Sequence, residues 1–433
     1  MSEAETSGLQ RSLSLRDVIA LGINGVVGQG IFLLPGAAAF MMGPACLVAI
    51  AAAGVLCLLM ALCFAEVGSR YPSTGGAYVY ARETFGDFVG FEVGWMTCCV
   101  AVIAWAALAN GLTEVLGALI PAIKGGWIQP ALAVGVISAL TAVNLFGARS
   151  GARVVMAFTV AKLIPLALFI VVGFTAIEGA HFAPFAPKGY DQLAETILLV
   201  LYAYVGFETL VVPAGEMANP KRAVPMALLW VMGIVMVIYC AVFIVAIGTF
   251  SELAGHKNPV AAASKGFLGP VGGTLVAVGI VLSVFGTNSG SALVSPRRFF
   301  ALAERGDLPK ILAWTHPTSG APIPAIVLTW ALASGLTLTG SFKELAVLSV
   351  VARFVQYLPT CLAVIILRWR EASPSDGFRL PLGPTIPLLT LSLCVWLLAN
   401  SDVERLKKGG IALLIGVPLY GLSRWSRRRQ STL

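Results

Sequence analysis

The sequence predicts an all-α polytopic membrane protein, and three observations carry that reading. The first is composition. Of 433 residues, 58% are hydrophobic and only 12% are charged, with a mean hydropathy of +0.88. Soluble domains carry about 25% charged residues. The second is the length of the apolar stretches. A lipid core about 30 Å thick needs about 20 apolar residues in a helix. Twelve such stretches are predicted, at about 17–40, 45–68, 87–119, 128–146, 153–177, 192–214, 225–248, 271–303, 322–340, 344–367, 384–400 and 409–423. The third is the placement of charge. With the N-terminus inside, nineteen lysines and arginines fall in inside regions and eight in outside loops, leaving Lys162 and Arg353 within segments. That asymmetry follows the positive-inside rule and puts both termini in the cytoplasm.

The chain divides accordingly. Residues 1–16 are a polar cytoplasmic N-terminus. Met1 to Gln10 include Glu3 and Glu5 and lack the basic start and cleavage site of a signal peptide, so segment one is expected to remain in the mature protein. Segments one to five cover 17–177 and segments six to ten cover 192–367; two further segments at 384–423 and a basic cytoplasmic tail at 424–433 follow. No hydrophilic stretch is long enough to build a separate soluble core.

Several functions are disfavoured. The net charge of +8 is spread through loops with no basic–aromatic stripe, which argues against nucleic acid. All eight cysteines lie in apolar segments and read as small core residues. His181, His256 and His316 are scattered in loops, so no metal or cofactor is expected. No HExxH, GxSxG or phosphate loop is present, and the chain is not expected to be an enzyme.

Two segments look broken. Segment one contains "GINGVVGQGIFLLPG", Gly22 to Gly36, and segment six contains "LYAYVGFETL", Leu201 to Leu210. Glycine costs a helix about 1 kcal/mol against alanine. Freed backbone groups at mid-membrane are tolerable only against a cavity or ligand. The glycines of segment one also fit close helix packing. The two segments are five apart, so five segments per repeat make them corresponding members, and the odd number inverts one repeat against the other. Paired interruptions of this kind point to a transporter's binding site.

The motifs then resemble a known group. "GQGIF" (Gly28 to Phe32) is similar to the GSGIF element of the amino acid–polyamine–organocation superfamily. "FAEVGSRYPSTGGAYVYARETFG" (Phe64 to Gly86) resembles that superfamily's loop between helices two and three. "VGFE…NPKRAVP" (Val205 to Pro225), "RRFFALAERGDLP" (Arg297 to Pro309) and "GFRLPLGPTIP" (Gly377 to Pro387) extend the resemblance over essentially the whole chain. It implies the LeuT-like fold, a 5+5 inverted repeat with helices one and six interrupted. It also implies secondary transport of amino acids or related amines by alternating access.

By that resemblance, a substrate carboxylate would meet Gly28, Gln29 and Gly30, flanked by Val26 and Ile31, with Tyr202, Ala203, Tyr204, Val205 and Gly206 as the segment-six wall. Gln29 departs from the family's serine, and either binds the substrate or fills room a serine would leave. Lys162, in "FTVAKLIPL", is about 13 Å from Val154 along a helix. A charge there costs about 3 kcal/mol or more unless it snorkels. The resemblance implies that its ammonium takes the place of a sodium ion, bridging segment one to segment eight near Ser283, Thr287 or Ser289, and exchanges a proton. Glu208 sits where some proton-linked exchangers carry a gating acid. Arg353 calls for an intramembrane acid, with no partner legible. Cys99, Ile103 and Trp105 are candidate pocket residues in segment three, and Glu66 reads as a helix end paired with Arg70.

The expectation is a sodium-independent amino acid transporter, proton-coupled or exchanging, for neutral small-to-medium amino acids, in the inner (plasma) membrane. The alternative is a polyamine, organic amine or cationic amino acid antiporter, disfavoured because intramembrane acids are few. A channel would need no alternating gates. The loop "LIPAIKGGWIQP" has no cysteine, so no disulfide-linked subunit is expected; the partners are the substrate and the bilayer, with the protein a monomer or homodimer.

Overall fold

The computed structural model describes residues 9–123, 126–339, 342–370, 377–400 and 403–431. The start of the N-terminal segment, 1–8, and part of the 370–383 loop, 371–376, lie outside the described residues, as do 432–433 of the basic tail. Among the described residues there are fourteen α-helices and no strand. They are α1 (Leu15–Val26), α2 (Gly30–Met42), α3 (Cys46–Arg70), α4 (Ala77–Phe85), α5 (Asp87–Leu119), α6 (Ile128–Leu145) and α7 (Ala148–Phe174). Then come α8 (Leu193–Tyr204), α9 (Pro220–Thr249), α10 (Pro259–Glu304), α11 (Ile323–Thr339), α12 (Phe342–Arg370), α13 (Thr385–Ala399) and α14 (Val403–Ser431).

Among the described residues, six helical stretches are long and apolar enough to cross a membrane: Leu15–Arg70, Asp87–Gly117, Ile128–Leu145, Ala148–Ala176, Pro220–Thr249 and Pro259–Glu304. Shorter apolar helices are Ile323–Thr339, Thr385–Ala399 and Gly409–Arg424. This is a multi-pass helical membrane protein.

Local chemistry sets the helix ends. The Asp17 amide donates to the Ser14 hydroxyl and the Ser14 amide to the Asp17 carboxylate, a capping box that starts α1. Pro220 opens α9, where its missing N–H costs nothing. Gly269, at φ +65°, kinks α10 just before Pro270, so the sequence-predicted start at 271 marks the second limb and Pro259–Leu268 is a helical limb before it. The loop motif between segments two and three contains α4, a nine-residue helix between Gly76 (φ +56°) and Gly86 (φ +92°). Its apolar face is too short to read as a helix from sequence alone.

Packing places α1 at the centre. It lies against α7, α9 and α10, while α8 lies against α3 and α2. The most extensive pairings are α7 with α10 and α3 with α9. Small residues permit them: a Cβ added to Gly279 would come within 2.8 Å of Pro165. At the centre, Gly25 and Gly206 bring the ends of α1 and α8 together. A Cβ at Gly206 would lie 2.4 Å from the Gly25 carbonyl oxygen, and Gly206 holds φ +124°. Only glycine adopts that backbone without strain.

Gly206→Ala is therefore expected to destabilise the protein by at least about 1–3 kcal/mol. Thermal unfolding in detergent should show a clear fall in Tm, and a fall no larger than that of Gly233→Ala, where an added Cβ meets nothing within 4 Å, would contradict this account of the helix crossing.

Candidate functional site

The first break lies between α1 and α2. Val27, Gly28 and Gln29 leave the helix, and no side chain caps the start of α2. The first N–H groups of a helix have no internal partner and carry the positive end of its dipole. The last carbonyls of α1, with the opposite sign, lie beside them. The second break follows α8: Val205 is extended at ψ 140°, and Phe207–Thr209 and Ala214–Glu216 form short 3₁₀ turns. Helix does not resume until Pro220, so the second half of predicted segment six, to 214, is irregular.

Between the breaks is a cavity of about 90 Å³. Gly25, Val26, Gly28, Gln29 and Gly30 line it from the first break, and Tyr202, Ala203, Val205, Gly206 and Thr209 from the second. Ala104, Ala107 and Leu108 of α5, Thr287 and Ser291 of α10, and Arg353 of α12 complete it. Ile31 and Tyr204 are buried outside the lining, and the Tyr204 hydroxyl donates to the Ile50 carbonyl at 3.2 Å. On α5 the lining residues are Ala104, Ala107 and Leu108 rather than Cys99, Ile103 or Trp105. Gln29 is buried beside the Tyr202 phenol. Such a site can hold the anionic group of a small substrate on the first amides of α2.

Behind the first break, Lys162 is fully buried. Its ammonium donates to the carbonyls of Asn24 at 2.9 Å and Val27 at 2.7 Å. It also reaches the Ser283 carbonyl at 3.4 Å and the Thr287 hydroxyl at 3.5 Å. The Ser283 hydroxyl donates to the same Val27 carbonyl at 2.9 Å. Ser289 is not part of this cluster; its hydroxyl donates back to Gly286 at 2.6 Å. Lys162 of α7 thus joins α1 to α10 through backbone oxygens the break has released.

Glu208 follows the second break. Its carboxylate accepts from the Gly206 amide at 3.0 Å, the Tyr357 hydroxyl at 3.0 Å and the Arg353 guanidinium. Arg353 therefore has an acidic partner, across 145 residues of sequence. Phe64, Phe207 and Tyr357 pack beneath, with Phe207 stacked on Tyr357 at 5.5 Å. Further ion pairs link other elements. Glu216 pairs with Arg297, Asp307 with Arg82, and Glu66 with both Arg70 at 3.0 Å and Arg368 at 2.5 Å. The Ser12 and Leu13 amides both donate to the Glu216 carbonyl at 2.9 Å.

One linking residue was invisible in the sequence. The Tyr239 hydroxyl of α9 is 2.9 Å from both the Val26 and the Ala203 carbonyl oxygens, tying the two broken helix ends together. Nothing about a tyrosine in an apolar run distinguishes it.

The model of a family described as amino acid permeases matches residues 13–419. The chain belongs to the amino acid permease family. This permease is 31% identical to the serine/threonine exchanger SteT of Bacillus subtilis (strain 168), over 96% of this chain and 97% of that one. It is 28% identical to the methylthioribose transporter of the same organism, over 97% and 95%. Identity to the branched-chain amino acid permease BcaP of that organism is also 28%, over 97% and 95%. The permease is a membrane amino acid transporter of the amino acid–polyamine–organocation superfamily, and its family members are transporters rather than enzymes.

Tyr239→Phe removes the hydroxyl and leaves the ring packed against Tyr204. The expected outcome is a Tm loss of only a few degrees, in line with about 1 kcal/mol for one neutral hydrogen bond, and a fall in amino acid uptake of roughly tenfold. Unchanged uptake would show that the tie between the helix ends is dispensable.

Proposed function

We propose that this permease is a sodium-independent secondary transporter of neutral, small amino acids, working by alternating access as a proton symporter or an exchanger. The observation that carries the reading is the Lys162 ammonium on the Asn24 and Val27 carbonyls. Carbonyls at a helix break inside a membrane need a cation or another donor. Here a side chain supplies it, in the place that a bound sodium ion takes in related transporters. Hydrogen bonds to a charged group are worth about 1.5–3 kcal/mol each. Loss or gain of the Lys162 proton would therefore change how firmly α1 is held against α7 and α10.

Substrate size is argued from the cavity. At about 90 Å³, it is far below the roughly 300–1,000 Å³ of pockets for drug-sized ligands. Three alanines, Ala104, Ala107 and Ala203, line it. The carboxylate site is Gly28, Gln29 and Gly30 with Val26 at its flank, and Tyr202, Ala203, Val205 and Gly206 form the opposite wall. Glu208, with Arg353 and Tyr357, is the gate below it. The serine/threonine exchanger among the relatives fits this substrate class.

On this reading the chain spans the inner membrane twelve times, with two inverted five-helix repeats at 17–177 and 192–367 and a further pair at 384–423. The N-terminal segment and the basic tail are cytoplasmic. The ion pairs around Glu216, Asp307 and Glu66 then close the cytoplasmic side, leaving the opposite side to admit substrate.

The test is Lys162→Ala, reconstituted in proteoliposomes. Uptake of neutral amino acids is expected to fall to background while the protein still expresses and purifies as the wild type does. Wild-type uptake in the variant would remove the basis of the proposal.

A further inference from the structure

Arg298 of α10 is a buried charge without a partner. It follows Arg297 in the chain, and the two are 4% and 2% exposed. Arg297 is held by Glu216 and by the Leu293 carbonyl. Among the described residues no ion pair or hydrogen bond holds Arg298, and its Nε is fully enclosed. Cys98 of α5 and Tyr357 of α12 lie within electrostatic range of its guanidinium. Tyr357 donates to Glu208, and Glu208 is already paired with Arg353. This buried group therefore sets two guanidiniums against one carboxylate.

Its position follows from the cavity. Ala104 of α5, Ser291 of α10 and Arg353 of α12 line the cavity. The same three helices meet again at Arg298. Cys98 comes six residues before Ala104, Arg298 seven after Ser291, and Tyr357 four after Arg353. Seven residues are about two helical turns, so Ser291 and Arg298 share a face of α10 about 10 Å apart along the helix. Ser295, also buried, stands between them. A buried charge with no partner is strongly unfavourable. The closed packing of α5, α10 and α12 is therefore penalised, and the penalty ends when these helices part and an anion or water reaches the guanidinium.

We propose that Arg298 is a second anion station, which takes the substrate's carboxylate after it leaves the α2 amides, on the way to the membrane face at the Glu304 end of α10. The inference rests on the reading of the protein as an alternating-access amino acid carrier, on which that face is the cytoplasmic one. A guanidinium matches a carboxylate in charge and in bidentate geometry. Because every amino acid carries that carboxylate, the station serves the whole substrate class rather than one side chain.

The experiment measures radiolabelled alanine exchange in right-side-out and inside-out membrane vesicles, with empty-vector vesicles subtracted, and Tm in detergent. Wild type, Arg298→Gln and Arg298→Lys are compared. In Arg298→Gln the KM at the cytoplasmic face should rise by about 10- to 100-fold, the effect of losing a hydrogen bond to a charged group. The KM at the opposite face should not rise. Its Tm should increase, because an unpaired buried charge is gone. Arg298→Lys keeps the charge and should recover most of the cytoplasmic-face affinity. An equal rise in KM at both faces, no rise at either, or a lower Tm or failure to fold in Arg298→Gln overturns the proposal. Replacing chloride by gluconate on both sides should leave wild-type exchange unchanged. A chloride requirement that disappears in Arg298→Gln would assign the site to a free halide and overturn the proposal as well. No alanine exchange by wild type at either face would instead overturn the parent reading.

Discussion

The arrangement depends on one contact, the buried Lys162 ammonium on the last carbonyls of α1. A helix interrupted at mid-membrane exposes oxygens that lipid cannot satisfy. An isolated ammonium at that depth is equally unfavourable. Each cancels the other's penalty, and Ser283 and Thr287 of α10 complete the coordination. Removing either side leaves an uncompensated polar group, which makes the break and the lysine one feature rather than two.

The two breaks are held by different means. The first rests on Lys162, the second on the Glu208 carboxylate, which collects donors from Gly206, Tyr357 and Arg353. Between them, Tyr239 bonds to one carbonyl from each, and Gly25 and Gly206 permit the close crossing. A movement of α1 therefore cannot leave α8 undisturbed. Arg353 of the cavity wall is also the ion-pair partner of Glu208.

Much of this was legible in the sequence, and the reasons are physical. Glycines at 25, 28, 30 and 206 are costly in a spanning helix, so their presence marks the breaks directly. Lys162 and Glu208 stand out because charge in an apolar run is rare. Other elements carried no such mark. Arg353 was conspicuous, but its partner is 145 positions away and only the fold brings them together. Tyr239 and the α5 alanines are ordinary residues of apolar helices. Helix α4 is too short for periodicity to show, and the irregular stretch after Gly206 kept an apolar composition that imitates helix. Ile31 and Tyr204 flank lining residues by one position, and one position is enough to turn a side chain away from the cavity.

The central claim is that a protein side chain occupies the place of a coupling sodium ion. Its most direct test is counterflow of a neutral amino acid in proteoliposomes with all sodium replaced by choline on both sides. The account expects exchange at the full rate seen with sodium present. A requirement for sodium would contradict it, since the carbonyls of Asn24 and Val27 would then not be served by Lys162 alone.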